Sequence, residues 1–238
     1  MKAKILKRLR GSGGFVSSRD LCADVGISRV AVWKHLRKLQ ELGYGIEAGP
    51  KGYRLVSMPD FLFPWEFPGR EERIVHMAET ASTMDIAKEL ARKGCPAFTV
   101  VAADRQTQGR GRLRRVWQSG AGGLYFTVVL RPDIPVLLSA RVNFLASATL
   151  ARVLRSGYGV EAGVKWPNDI LVQGRKLCGL LSEMEAESDR VAFINVGIGV
   201  NVNNRIAGVE PPATSLKVLL GHAVERRELL GRFLDEFE

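Results

Sequence analysis

The sequence predicts an α+β protein in two parts: an N-terminal winged helix-turn-helix, then a larger domain whose central mixed β-sheet is flanked by helices. Three observations predict it. Two short helical stretches separated by a glycine turn precede a strand–turn–strand. Positive charge gathers in residues 1–57, which hold 12 Lys and Arg against 4 Asp and Glu, whereas the other 181 residues carry only +2 of the net +10. Beyond residue 73, short apolar strands are interspersed with amphipathic helices, the pattern of a layered mixed-sheet domain.

In the first part, Ile5, Leu6 and Leu9 recur at helical spacing among lysines and arginines. Ser17 or Ser18 is placed to cap a helix over 19–25, which Gly26 breaks. Ser28 caps the next helix, RVAVWKHLRKLQEL, which ends at Gly43. Val32, Leu36 and Leu39 form its inward stripe, and Arg29, Trp33, Lys34 and Arg37 lie on other faces. YGIEAGPKGYRLV then reads as a hairpin wing, with Lys51 near the tip and Arg54 on the return strand. In such a layout the second helix enters the major groove of DNA, so Ser28, Arg29, Trp33, Lys34, Arg37, Lys51 and Arg54 are candidate DNA contacts. Trp33 fits the core as well as a base contact, and Lys34 and Arg37 fit phosphate contacts, which position without specifying. A basic three-helix module that binds protein is the alternative.

SMPDFLFPWEFPGR contains three prolines, which block helix continuation. Residues 58–73 are therefore expected to link a domain at 1–57 to a domain at 74–238, with Phe61, Leu62, Phe63 and Trp65 packing onto one of them.

The second domain opens with a strand over 74–78 and ETASTMD, where Ser82 or Thr83 caps a helix over 84–92. The free N–H groups of that helix start suit a carbonyl or anion; equally, the two residues simply cap. Strands follow over 98–104 and 123–130, then a long amphipathic helix over 139–155. A hairpin pairs 164–172 with 176–184 around Gln173-Gly174-Arg175; a strand over 191–200 and helices over 213–220 and 225–237 complete the chain.

Several classes are excluded. Cys22, Cys95 and Cys178 are odd in number and far apart, which disfavours disulfides and zinc and fits a reducing cytoplasm. His35, His76 and His222 are isolated. The basic start lacks the apolar core of a signal peptide, and no apolar run approaches the roughly 18 residues of a membrane span. No phosphate loop of the GxxxxGK[ST] kind occurs, and both Gly-x-Gly pairs, at 109–111 and 197–199, lack the third glycine of a dinucleotide fingerprint.

What remains is QTQGRGRLRRVW (106–117), with four arginines and no acidic residue between Asp104 and Asp133. Arginine forks match carboxylate and phosphate oxygens, and Gly109 and Gly111 let the backbone approach a ligand. Positive groups there would allow two anions, a carboxylate and a nucleotide phosphate, to meet. Lys165 or Lys176 supplies a further point charge.

GRGR with Trp117, KWPND (165–169), RKLCG (175–179), SRVAVWKHL (28–36) and KGYRL (51–55) together resemble the bifunctional biotin protein ligases that also act as biotin operon repressors. The similarity runs over nearly all of residues 1–235. It implies the fold shared by class II aminoacyl-tRNA synthetases and biotin ligases, and ATP-dependent formation of biotinyl-5′-AMP. Transfer to a lysine of a biotin carboxyl carrier protein follows, and biotin-responsive repression is the second activity. By resemblance Ser82, Thr83, Gln106, Arg110, Gly111, Arg112, Lys176 and Gly179 contact biotin, with Lys176, Arg110 and Arg112 catalytic. Arg112, Arg115, Trp117, Lys165, Asn168 and Asn201 lie near the adenylate, and Asp169 supports Mg²⁺. The implied partners are the carrier protein, operator DNA and a second copy of the chain, in a ligand-promoted homodimer. The resemblance departs twice. Arg114 stands where the family's GRGRxGRxW pattern has glycine, expected to cost about 1 kcal/mol if that position is left-handed. The small C-terminal β-barrel of the family is expected to be missing, since the sequence stops at Glu238 within a helix. A non-catalytic regulator that senses biotin or biotinyl-AMP, and a relative of the lipoate ligases and transferases, stay as alternatives.

Overall fold

Serine hydroxyls start the two helices that flank the first turn. Ser17 Oγ accepts from Asp20 N to begin α2 (Ser18–Val25), and Ser28 Oγ accepts from Ala31 N to begin α3 (Arg29–Glu41). Between them Gly26 sits at φ 72°, a left-handed cap. With α1 (Lys2–Ser12), these helices bury Ile5, Leu6, Leu9, Leu21, Val25, Val32, Leu36 and Leu39. The computed structural model describes residues 1–206 and 212–238, without the side chain of Arg114. It falls into two units, Met1–Phe61 and Leu62–Glu238.

The wing of the first unit is β1 (Gly45–Gly49) paired antiparallel with β2 (Gly52–Ser57). Two hydrogen bonds, Val16 N to Tyr53 O (2.8 Å) and Tyr53 N to Val16 O (2.9 Å), tie the wing to the segment before α2. Gly52 makes this possible: at φ 121°, a β-carbon there would lie 2.0 Å from Val16 O. Trp33 is 52% exposed, so of its two candidate placements the surface is the one observed. Arg37 lies over its ring at 5.9 Å. Arg54 pairs with Glu47 at 2.6 Å and covers the Phe15 ring at 5.0 Å, so it braces the hairpin.

The second unit is a seven-stranded sheet in the order β3-β4-β5-β9-β8-β7-β6. The strands are β3 (Ile74–Thr80), β4 (Thr99–Gln106), β5 (Leu124–Leu130), β6 (Gly163–Lys165), β7 (Asp169–Val172), β8 (Arg175–Glu187) and β9 (Arg190–Val200). β3 and β4 are parallel and the other pairs antiparallel, the mixed sheet expected from sequence. One face packs on α5 (Ala140–Tyr158) and α7 (Arg226–Phe237) through residues such as Phe126, Val128, Val196, Leu150, Leu154 and Phe233. The other face meets α4 (Thr83–Arg92), whose Ala87 and Ala91 contact Val101, Val129 and Phe193.

Within the segment 58–73, Leu62 packs onto a domain as its apolar character led one to expect: with Phe67 it is buried in the second unit's core. Three expectations change. The strand placed over 164–172 is two strands, since Pro167 can donate nothing to a ladder and the chain turns at 166–168 through a cis Trp166–Pro167 bond. The helix placed over 213–220 shrinks to α6 (Leu216–Leu220). Lys176 N donates to Pro212 O and Thr214 N to Lys176 O, holding the chain extended until Ser215 caps the turn. The stretch Val136–Tyr158 is long and apolar enough to cross a bilayer, contrary to the sequence reading. Its Ala146, Leu150, Ala151, Val153 and Leu154 stripe instead lies in the core of the second unit.

Candidate functional site

A cavity of about 770 Å³ opens where α4, the loop 109–117 and strands β8 and β9 converge. Its floor is glycine. Gly179 on β8 pairs with Gly199 on β9, and Gly197 lies two residues along on the same face. A β-carbon on Gly199 would lie 2.3 Å from Trp117 Nε1, one on Gly179 3.0 Å from the same indole, and one on Gly197 2.6 Å from Met84 Sδ. The sequence showed Gly197 and Gly199 only as an incomplete nucleotide motif. Alternate glycines on a buried strand mark close approach of another group, and that signal was legible.

One wall is the start of α4. Ser82 is the N-cap, its Oγ accepting from Met84 N at 3.3 Å. Thr83 does more than cap. Its N–H and Oγ1 both meet Gln106 Oε1, at 2.9 and 3.2 Å, and Oγ1 meets Thr127 Oγ1 at 2.8 Å. Gln106 Nε2 continues the chain to Ser119 Oγ at 2.9 Å, which donates to Trp117 O at 3.1 Å. These short side chains are fixed by one another, which fits them to read a small polar ligand without reorganising.

The base of β4 is held by a buried charge cluster. Arg226 of α7 donates to Asp104 Oδ1 at 3.1 Å and to Gly123 O at 2.9 Å, and Asp104 Oδ2 meets His76 Nε2 at 2.8 Å. Each buried charge therefore has an opposite or polar partner.

The loop folds back on itself. Trp117 N donates to Gly109 O at 2.9 Å and Gly111 N to Arg115 O at 2.7 Å. Leu113 is left-handed, at φ 57°; the strain expected at Arg114 falls outside the described residues. Arg112 Nη1 donates to Asn168 Oδ1 at 3.1 Å, and Asn168 Nδ2 donates to Leu180 O at 2.9 Å. Arg110 lines the cavity, but its guanidinium reaches Asp85 at 2.6 and 3.2 Å.

At the far end Lys176 Nζ lies 2.7 Å from Asp169 Oδ1 and 5.3 Å from the centre of the Trp117 ring. Trp117 Nε1 is buried with no hydrogen-bond partner among the described residues. Asn204 Nδ2 donates to Asn201 Oδ1 at 3.0 Å, and Arg205 lines the same end. Burial pushes the thiol of Cys178 and the phenol of Tyr125 up, so both stay protonated at neutral pH and neither serves as a nucleophile or base.

Of the residues singled out from sequence for this domain, Ser82, Thr83, Gln106, Arg110, Gly111, Arg112, Arg115, Trp117, Asn168, Asp169, Lys176, Gly179 and Asn201 line the cavity. Lys165 does not; it is exposed at the end of β6. Sequence reasoning missed Met84, Asn204 and Arg205, whose local patterns carry no distinguishing signal, and Ser119.

Comparisons with known proteins fit this geometry. The model of the biotin/lipoate A/B protein ligase family matches residues 77–201, and a helix-turn-helix domain model matches residues 2–54. The chain is 37% identical over 236 residues to the bifunctional ligase/repressor BirA of Bacillus spizizenii, covering 94% of this chain and 73% of that protein. It is 38% identical over 168 residues to the biotin–[acetyl-CoA-carboxylase] ligase of Paracoccus denitrificans, covering 68% and 70%. A biotin protein ligase from Aquifex aeolicus, solved in complex with biotin and ATP, superposes with a TM-score of 0.58 at 32% identity, covering 69% of this chain and 68% of that one.

Proposed function

Because this chain belongs to the biotin/lipoate A/B protein ligase family, as a biotin ligase with a DNA-binding repressor domain, we propose that its glycine-floored cavity is where biotin is activated. The observation that carries the assignment is the pairing of Lys176 with Asp169 beside Trp117, at one end of a cavity whose other end is the fixed Thr83–Gln106 array.

The bicyclic end of biotin lies against Ser82, Thr83 and Gln106, with its chain along Gly179, Gly197 and Gly199 toward Lys176. A carboxylate oxygen attacks the α-phosphorus of ATP, the bond to the β-phosphate breaks, and pyrophosphate leaves. Lys176 and Arg112 offset the charge that two meeting anions build up. Trp117, Arg115, Asn168, Asn201 and Arg205 surround the nucleotide. Lys165, outside the cavity, reaches only phosphate that projects from it. A lysine amine of the carrier protein then attacks the acyl carbon, AMP leaves, and the amine loses a proton.

Asp169 is the carboxylate assigned to metal, and the described residues hold no group of three His, Cys, Asp or Glu that could cage one. That donor set fits a Mg²⁺ that keeps its waters and arrives on the triphosphate; it would neutralise phosphate charge there, with Asp169 as its protein contact. Repression is proposed to work through a homodimer on two half-sites, with Ser28, Arg29, Trp33, Lys34, Arg37 and Lys51 facing DNA. A cytoplasmic location is part of the same proposal.

Biotin-dependent exchange of labelled pyrophosphate into ATP tests the first half-reaction without a carrier protein. Exchange supported by lipoate in place of biotin would overturn the substrate. A biotin-responsive shift of DNA binding with no exchange would make the chain a sensor without catalysis. The floor has its own test. In Gly199→Ala the methyl displaces the Trp117 indole, so biotin affinity by calorimetry is expected to fall roughly 10- to 100-fold, from about 1–3 kcal/mol of overpacking.

A further inference from the structure

Arg110 is separated from the chemistry it was expected to serve. Its Nη2 lies 2.6 Å from Asp85 Oδ1 and 3.9 Å from Glu183 Oε1, and its Nη1 lies 3.2 Å from Asp85 Oδ2. Asp85 is in the first turn of α4, and Glu183 is on β8, seven residues beyond Lys176. Lys176 Nζ reaches back to Gly179, where an added β-carbon would lie 3.4 Å from it, and at about 3.3 Å per strand residue Glu183 lies roughly 13 Å beyond Gly179. A guanidinium paired with Asp85 and Glu183 is thus held away from the Lys176 ammonium. It joins three elements instead: the loop, the helix that carries Ser82 and Thr83, and the strand that carries Gly179.

We propose that Asp85 and Glu183 are positioning residues that clamp Arg110 and so hold the loop 109–117 closed over the biotin end of the cavity. Arg112 and Lys176 are left to the reaction. The clamp rests on reading the cavity as the biotin site. Two features of the clamp suit a gate that reopens each cycle. Arg110, Asp85 and Glu183 side chains are 41%, 50% and 38% exposed, so the pairing is weak and screened. The fork is bidentate on Asp85, so it fixes orientation as well as distance.

The test uses the full chain without ligand. Trypsin cleavage after Arg112 or Arg115 speeds up as the loop loosens, because a protease needs the backbone around the cut extended, and cleavage at sites elsewhere is the folding control. Asp85→Asn with Glu183→Gln is expected to raise loop cleavage about threefold to fivefold at low salt. The difference should vanish near 1 M salt, where screening extends only ~3 Å. Asp85→Glu should restore most of the protection. In pyrophosphate exchange the double variant should raise KM for biotin by a similar factor and leave kcat unchanged. Loop cleavage and salt response equal to the parent's would overturn the clamp. If the parent shows no biotin-dependent exchange, the site assignment fails, and cleavage still decides whether the clamp exists.

Discussion

Lys176→Ala is expected to slow biotin-dependent pyrophosphate exchange by about 10²- to 10³-fold, roughly 3–4 kcal/mol of transition-state stabilisation, as for loss of one well-aimed donor at a developing anion. The structure gives the reason for so large an effect. Lys176 is held at one point by Asp169 at 2.7 Å and by the face of Trp117 at 5.3 Å, so its ammonium needs no reorganisation when charge builds beside it. Lys217→Ala, on the exposed side of α6, is the control and should exchange at the parental rate. Steady-state exchange rates for both variants settle the matter. Parental activity in Lys176→Ala would remove this lysine from the chemistry.

Gly52→Ala should disable the other activity. The added methyl would sit 2.0 Å from Val16 O and 2.7 Å from Val16 C, both backbone atoms, at a residue whose φ of 121° disfavours any side chain. Neither can yield without breaking the two bonds that tie the wing down. Destabilisation of the first unit by about 3 kcal/mol or more is expected, in the range reserved for forced backbone clashes. Anisotropy with labelled duplex DNA at low salt should show weakened binding, while pyrophosphate exchange continues. Unchanged DNA affinity would show that the wing tolerates the shift.

Most of the architecture was legible because local signals and tertiary demands agree. The serine caps, the glycine stops and the inward stripe of α3 each had one physical meaning, and the structure repeats them. The site was legible only where residue chemistry is unusual. Arginines between glycines, KWPND and RKLCG stand out, and from them Arg110, Arg112, Asn168, Asp169, Lys176 and Gly179 line the cavity. What sequence could not supply was partnership. Arg54 and Arg110 are both surface arginines by pattern, yet one braces a hairpin against Phe15 and the other clamps a loop. Nor did it mark Leu113, whose left-handed backbone no glycine or asparagine signals. Likewise Ala213 was expected to start a helix, and only the pairing with Lys176 shows why the chain stays extended there.

The indole of Trp117 has a consequence outside catalysis. Trp33 and Trp166 are more than half exposed and should fluoresce as wetted indoles, whereas Trp117 presses on the bare backbone of Gly199, its N–H buried and without a partner among the described residues. A ligand settling on that floor must push the ring aside and give its N–H a new neighbour. The chain therefore carries a native optical gauge of occupancy, one whose colour and brightness change with the loop and need no attached dye.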